Sequence, residues 1–332
     1  MLRPIELTKL HLKEPVVLSI GVFDGVHLGH QSLLGQVVAR ARELRASAVA
    51  LTFEPHPQEV LSPGVPWPYL TDLCERAALI GQLGVDVCAY LPFDLALART
   101  GAGEFMDLVL RHLPVAQLWV GPDFALGSGR RGTISRLREV GSRRGFTVHS
   151  VPPFELDGEV VSSTSIRRLL AEGDVGGAAR LLGRCYSLTG PVVEGDKRGR
   201  TLGFPTANLA FDQRRALPAD GVYAVFASLP PDFSASSSSD GASPAARTWP
   251  AVVSLGLRPT FGGGQRTIEA FLLDFTDSLY GRRLTLQFVQ RLRPERKFPS
   301  PAALIEQMQL DVASAREILA REACPPQPTP VC

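Results

Sequence analysis

GVFDGVHLGH, residues 21–30, is the stretch on which the reading of the first half of the chain turns. It follows the apolar run VVLSI (16–20) and runs into HQSLLGQVVARARELR (30–45), where Leu33, Leu34, Val37, Val38, Ala41 and Leu44 recur on one helical stripe. A buried strand that turns sharply into an amphipathic helix opens a βαβ unit. Gly21, Gly25 and Gly29 let the backbone turn and approach a ligand closely, and the helix start offers unpaired N–H groups and a positive dipole end to an anion. His27 and His30 add donors three residues apart, placed to contact one phosphate chain and to stabilise charge that builds on it. A single histidine in such a place is more often a helix cap, so the phosphate reading rests on the whole pattern, Phe23 and Asp24 included.

Outward from this turn, the runs VVLSIGV, SAVALTF, VDVCAYL, AQLWVG and FTVHSV alternate with helical stretches from about Val16 to Val151. Such alternation implies a Rossmann-like α/β module, a parallel sheet covered by helices with ligands at the carboxyl ends of its strands. FEPHP (53–57) follows the second of these runs, so Phe53, Pro55, His56 and Pro57 share the rim with the histidine turn and are candidates for contact with an acceptor. A rigid proline-rich loop is the plainer alternative. GPDFALGSGRRG (121–132) follows the fourth run and puts Asp123, Arg130 and Arg131 on the same rim, where they either meet a nucleotide or are solvated. SSTSIRRLLAEG and DVGGAARLLG read as two short helices that close the module near Gly183.

Beyond Gly183 the texture changes to short alternating strands, YSLTGPVV, GVYAVFASL, WPAVVSLG, RTIEAFLLDF and LTLQFVQRL, as in an antiparallel barrel or sandwich. ALIEQMQLDVASAREILA then predicts a helix from Pro301 to about Arg321. The expected organisation is a first domain over 1–183, a second over 184–323 and a flexible tail over 324–332. PPDFSASSSSDGASPAART, which includes Ser236–Ser239, reads as a mobile hairpin insertion.

The second half carries its own dense motif, EGDKRGRTLGFPTANL (194–209). Its glycines suit a flap over phosphates, and Thr206 and Asn208 supply hard oxygens of the kind Mg²⁺ prefers, although a Pro-Thr-x-Asn turn alone is ordinary turn chemistry. On RTIEAFLLDF, alternation sets Glu269 on the face of Phe271, Leu273 and Phe275. A carboxylate among apolar neighbours needs a partner or a task, and one task is general base toward a hydroxyl; an edge glutamate reaching water is the other reading.

Bulk properties narrow the classes. A chain of 332 residues, 45% hydrophobic and 20% charged, suits two globular cores, and no apolar run approaches the roughly 20 residues of a membrane span. A net charge of +2 gives no global attraction to nucleic acid. MLRPIELTKLHLKEP lacks an apolar core and a cleavage site, so a cytoplasmic protein acting on small molecules is expected, a monomer or weak homo-oligomer. The five scattered cysteines, without a CxxC pair, are read as unpaired thiols.

GVFDGVHLGH resembles the HxGH signature of the nucleotidyltransferase superfamily, and SSTSIR (162–167) resembles that superfamily's second ATP motif. Ser163 and Thr164 are good N-caps and Arg167 is a forked phosphate donor, although alone the segment is an ordinary cap. The order GVFDGVHLGH, SSTSIR, CYSLTGPVVEGDKRGRTLGFPTANL, GVYAV, LRPTFGG, IEAFLLDF, LYG, KFPS resembles the bacterial bifunctional riboflavin kinase/FMN adenylyltransferase (FAD synthetase) family over nearly the whole chain. The resemblance implies an N-terminal module that joins FMN to AMP from ATP, and a C-terminal six-stranded barrel that phosphorylates riboflavin with ATP. It implies His27 and His30 as catalytic residues on the ATP phosphates, with Gly21, Phe23, Asp24, Gly25, Gly29, Ser163, Thr164 and Arg167 around the nucleotide. It further implies Gly195, Lys197, Gly199 and Arg200 over the second nucleotide, Thr206 and Asn208 on Mg²⁺, and Glu269 as the base for the ribityl hydroxyl. The chain departs from the family pattern at Ser165, often arginine, at Ser254, often asparagine, and at Phe271, often histidine, and the serine-rich insertion is not expected of the family. Two other readings remain at this point, an HxGH nucleotidyltransferase for another phosphorylated acceptor and a non-catalytic flavin or nucleotide sensor.

Overall fold

The computed structural model describes residues 2–194, 204–229, 247–257 and 266–322. The expectations for Gly195, Lys197, Gly199, Arg200, most of LRPTFGG, the Ser236–Ser239 insertion and the tail at 324–332 lie outside these residues. The chain divides into two compact units between Ser163 and Thr164.

In the first unit, strands β1 (Pro4–Glu6), β2 (Val16–Ile20), β3 (Ser47–Glu54), β4 (Val87–Pro92), β5 (Val115–Val120) and β6 (Thr147–Ser150) form one sheet in the order β1-β4-β3-β2-β5-β6, paired in parallel throughout. The chain moves from β2 to its neighbour β3, then crosses back to lay β5 on the other side of β2. The switch point therefore lies at the carboxyl end of β2, where a crevice forms in open α/β sheets. Helices α1 (Leu28–Leu44), α2 (Pro57–Leu61), α3 (Leu73–Gln82), α4 (Leu95–Arg99), α5 (Ala102–Leu110) and α6 (Ile134–Arg144) supply the cover. One core joins Leu18, Ile20 and Leu51 to Phe105, Met106 and Val109 of α5, and the other joins Val17, Ala48 and Ala50 to Leu34, Val37 and Ala41 of α1. The stripe on α1 is as expected except at Leu44, the last helical residue, which is exposed just before the left-handed cap at Arg45 (φ 52°). A small hairpin, β7 (Glu155–Leu156) and β8 (Glu159–Val160), follows the sheet.

The second unit begins with α7 (Ser163–Glu172), from Thr164 onward, and α8 (Val175–Leu182). Strands β9 (Tyr186–Val193), β10 (Ala207–Leu209), β11 (Gly221–Ser228), β12 (Thr248–Leu257), β13 (Arg266–Leu272) and β14 (Arg283–Arg293) close into an antiparallel barrel in the order β10-β13-β12-β11-β14-β9. The sixth strand, β10, is the ANL of the PTAN motif and is too short to show alternation. Helix α9 (Pro301–Arg321) is capped by Ser300, whose hydroxyl accepts from Ala303 N, and packs Ala315 and Leu319 on Ala224, Phe226 and Val252 of the barrel wall. Among the described residues no helix is long and apolar enough to cross a membrane.

The cysteine expectation needs correction, because Cys74 and Cys185 each take part in a disulfide rather than carrying a free thiol. Cys88 alone of the described cysteines is a free thiol, and burial pushes it up to about 12.

Candidate active sites

The histidine turn sits on the carboxyl end of β2. Phe23 (φ 51°), Gly25 (φ 83°) and Val26 (φ 40°) are all left-handed, a sequence of conformations that only surrounding contacts can hold. The Phe23 ring folds back so far that a Cβ on Gly21 would come within 2.9 Å of it, which explains the glycine. His27 caps α1, its Nδ1 accepting from His30 N at 3.4 Å, so a neutral ring carries its proton on Nε2. The His27 and His30 rings stack with centroids 3.6 Å apart and a 20° tilt, and Phe23 meets His30 edge-on. His27 is buried and His30 half-buried. Both imidazoles thus stand together at the helix N-terminus, the placement that anion binding requires.

Gly29 lies against this pair, and a Cβ there would approach the His27 ring to 3.1 Å. Gly29→Ala is expected to displace the ring by a few tenths of an ångström and to lower about tenfold the turnover of any reaction that uses this turn, measured as kcat with the protein otherwise folded.

Asp24 points into the fold. It is buried, and its carboxylate accepts from Leu70 N (3.1 Å), Thr71 N (3.0 Å) and the Thr71 hydroxyl (3.2 Å), while Gly25 N donates to that hydroxyl at 3.0 Å. Its main-chain carbonyl receives the Ser163 hydroxyl at 2.8 Å. Asp24→Ala would strip two buried amides of their acceptor, at about 1–3 kcal/mol each, which a urea denaturation of the first unit would detect. Thr164 is exposed and Arg167 half-buried in the opening turns of α7.

On β3, Phe53 is a core residue meeting Phe93 and Phe105, so its side chain faces away from solvent. Pro55 follows a cis bond, Pro57 opens α2, and His56 caps that helix, its Nδ1 accepting from Gln58 N at 3.0 Å. The His56 ring lies 4.3 Å from Trp67, and its backbone N–H reaches the Tyr69 hydroxyl at 2.8 Å. Tyr69 donates in turn to Glu59, and burial together with that bond raises its phenol well above the ordinary value. Asp123 is exposed after β5, its carbonyl accepting from Arg130 at 2.9 Å.

The barrel holds the second cluster. Glu269 is paired across the sheet with Asn208 of β10 on one side and Ser254 of β12 on the other, and the Thr206 hydroxyl lies 3.4 Å from its Oε2. Phe271 shares this half-buried face and meets Phe204 edge-on, but β13 ends at Leu272, so the alternation does not extend to Leu273 and Phe275. Leu273 is buried instead, and left-handed Asp274 (φ 58°) breaks the strand pattern. Glu269 opens on a cavity of about 280 Å³ under α9, lined also by Phe204, Phe271, Arg293 and Asp311. Arg293 grips Asp311 with a bidentate pair (Nε–Oδ1 3.0 Å, Nη2–Oδ2 2.8 Å), a contact between strand and helix that no local pattern announces.

Comparison with known proteins agrees with both halves. A family model described as FAD synthetase matches residues 9–165, and one described as riboflavin kinase matches residues 182–319. The bifunctional riboflavin kinase/FMN adenylyltransferase of Pseudomonas fluorescens is 42% identical over 92% of this chain and 94% of its own. That of Escherichia coli K12 is 36% identical over 92% and 93%, and that of Bacillus subtilis 34% over 90% and 91%. A solved structure from Streptococcus pneumoniae, described as a macrolide-efflux protein, superposes with a TM-score of 0.83 at 30% identity, covering 94% of this chain and 98% of that one.

Proposed function

Because the chain belongs to the bifunctional riboflavin kinase/FMN adenylyltransferase family, and so converts riboflavin to FMN and FMN to FAD, we propose how its residues divide the two reactions. The first domain, through residue 183, is the adenylyltransferase. In it the FMN phosphate oxygen attacks the α-phosphorus of ATP and the bond to pyrophosphate breaks. His27 and His30 hold the ATP phosphates and stabilise the charge that pyrophosphate carries away. Gly21, Phe23, Gly25 and Gly29 shape the turn, Asp24 and Ser163 fix it, and Thr164 and Arg167 take the outer phosphates. Pro55, His56, Pro57 and Asp123 stand on the acceptor side of the rim, with Phe53 supporting them.

The second domain, 184–323, is the kinase. Glu269 accepts the proton of the ribityl terminal hydroxyl as that oxygen attacks the γ-phosphorus of ATP, and ADP departs. The observation that carries this assignment is that Asn208 of β10 stands opposite Glu269 in the barrel, while Thr206, just before β10, lies against Glu269 and lines the same cavity with it. Thr206 and Asn208 present a hydroxyl and an amide oxygen, donors that fit Mg²⁺, which when bound neutralises phosphate charge. Gly195, Lys197, Gly199 and Arg200 are assigned to the phosphates on the resemblance of their motif. The substrates are small molecules, and the enzyme is taken as cytoplasmic, a monomer or weak homo-oligomer, without nucleic acid or membrane.

Incubating purified protein with riboflavin, ATP and Mg²⁺ and resolving the flavins by chromatography tests the reading. FMN then FAD is expected, and chelating Mg²⁺ should stop both. Formation of neither flavin with the metal present would refute it.

A further inference from the structure

Arg76 of α3 is fully buried, yet no carboxylate lies within hydrogen-bonding distance of it; Glu54 is 3.8 Å away. Its guanidinium donates instead to neutral oxygens on two separate segments, to Thr52 Oγ1 (3.1 Å) and Phe53 O (3.3 Å) at the end of β3 and to Thr71 O (3.4 Å) before α3. Both segments hold the histidine turn. The Thr52 hydroxyl donates to Val22 O at 2.8 Å, and Thr71 holds Asp24 and Gly25. A buried cation met mainly by carbonyls and hydroxyls is a poor way to gain stability, because an apolar side chain of similar size generally does as well or better. What a planar fork offers over such a side chain is fixed geometry between separate segments.

We propose that Arg76 is a positioning residue for adenylyl transfer, setting the histidine turn through Thr52 and Thr71. The proposal rests on the adenylyltransferase reading of that turn. Without the fork, the end of β3 and the Thr71 segment move independently, and the imidazoles lose their alignment with the phosphates.

The test uses full-length Arg76→Met, Arg76→Lys, Thr52→Val and the double variant Arg76→Met/Thr52→Val, with FAD formation measured at saturating FMN and ATP and riboflavin phosphorylation followed in parallel. The expected result is a fall in adenylylation kcat of about 10- to 100-fold for Arg76→Met. Part of that loss should be recovered in Arg76→Lys, kinase turnover should be unchanged, and the double variant should be little worse than Arg76→Met alone. Unaltered kcat in folded Arg76→Met and Thr52→Val, strictly additive losses, or a loss confined to KM for FMN would overturn the proposal. Should Arg76→Met not fold, Arg76→Lys and Thr52→Val decide the matter by the same kcat criterion. A wild-type protein that made no FAD would reject the adenylyltransferase reading itself, a result distinguishable from any of these.

Discussion

His30→Ala is expected to halt FAD formation while FMN accumulates. The His30 ring stacks on that of His27 at the N-terminus of α1, so its loss would remove the donor proposed to meet the ATP phosphates and leave its partner without the ring that aligns it. Removing one preorganised donor to a developing charge commonly lowers kcat by about 10²–10³-fold, and the paired geometry places this site toward the upper end. The stability cost should be small, since His30 is half-buried and the cap on α1 is supplied by His27. Riboflavin kinase turnover should be untouched. Chromatography of the flavins over time checks it, and a parallel fall in both activities would mean that the turn does not serve one reaction alone.

Glu269→Gln should produce the complementary pattern, no FMN from riboflavin but normal FAD from supplied FMN. The amide is nearly isosteric and can still meet Thr206, so the barrel should keep its fold, while the group proposed to accept the hydroxyl proton is gone. Loss of a positioned general base costs about 10²–10⁴-fold, measured as kcat for riboflavin phosphorylation. Equal loss of both reactions would place Glu269 in a structural role.

The parts of the molecule legible in sequence were those with a long local signature. Strands β2 to β6, the amphipathic α1 and α9, and the change of texture after Gly183 all follow from periodicity, and the histidine turn from its glycines and its place between strand and helix. Strands β1 and β10 are three residues each, below the length at which alternation can be recognised. The pairing of Glu269 with Asn208 and Ser254 depends on barrel register between segments some 60 residues apart or, for Ser254, across a hairpin, and no local pattern encodes register. Asp24 is marked in the sequence by its place in the turn, but the buried amides of Leu70 and Thr71 that it holds belong to a distant segment. Arg76 left one signal, an arginine on the apolar stripe of Leu79, Ile80 and Leu83, whose meaning emerges only once Thr52 and Thr71 are seen beside it. The two rival readings are answered by the comparisons, since family models for both activities match the two halves of the chain and relatives carrying both match most of it.

Complementation between the two inactive variants probes the separation of the two chemistries most directly. Neither His30→Ala nor Glu269→Gln alone should convert riboflavin to FAD, but an equimolar mixture with ATP and Mg²⁺ should do so, as FMN made by the first is adenylylated by the second. A mixture that remains as inactive as its components would contradict the assignment of one reaction to each half of the chain.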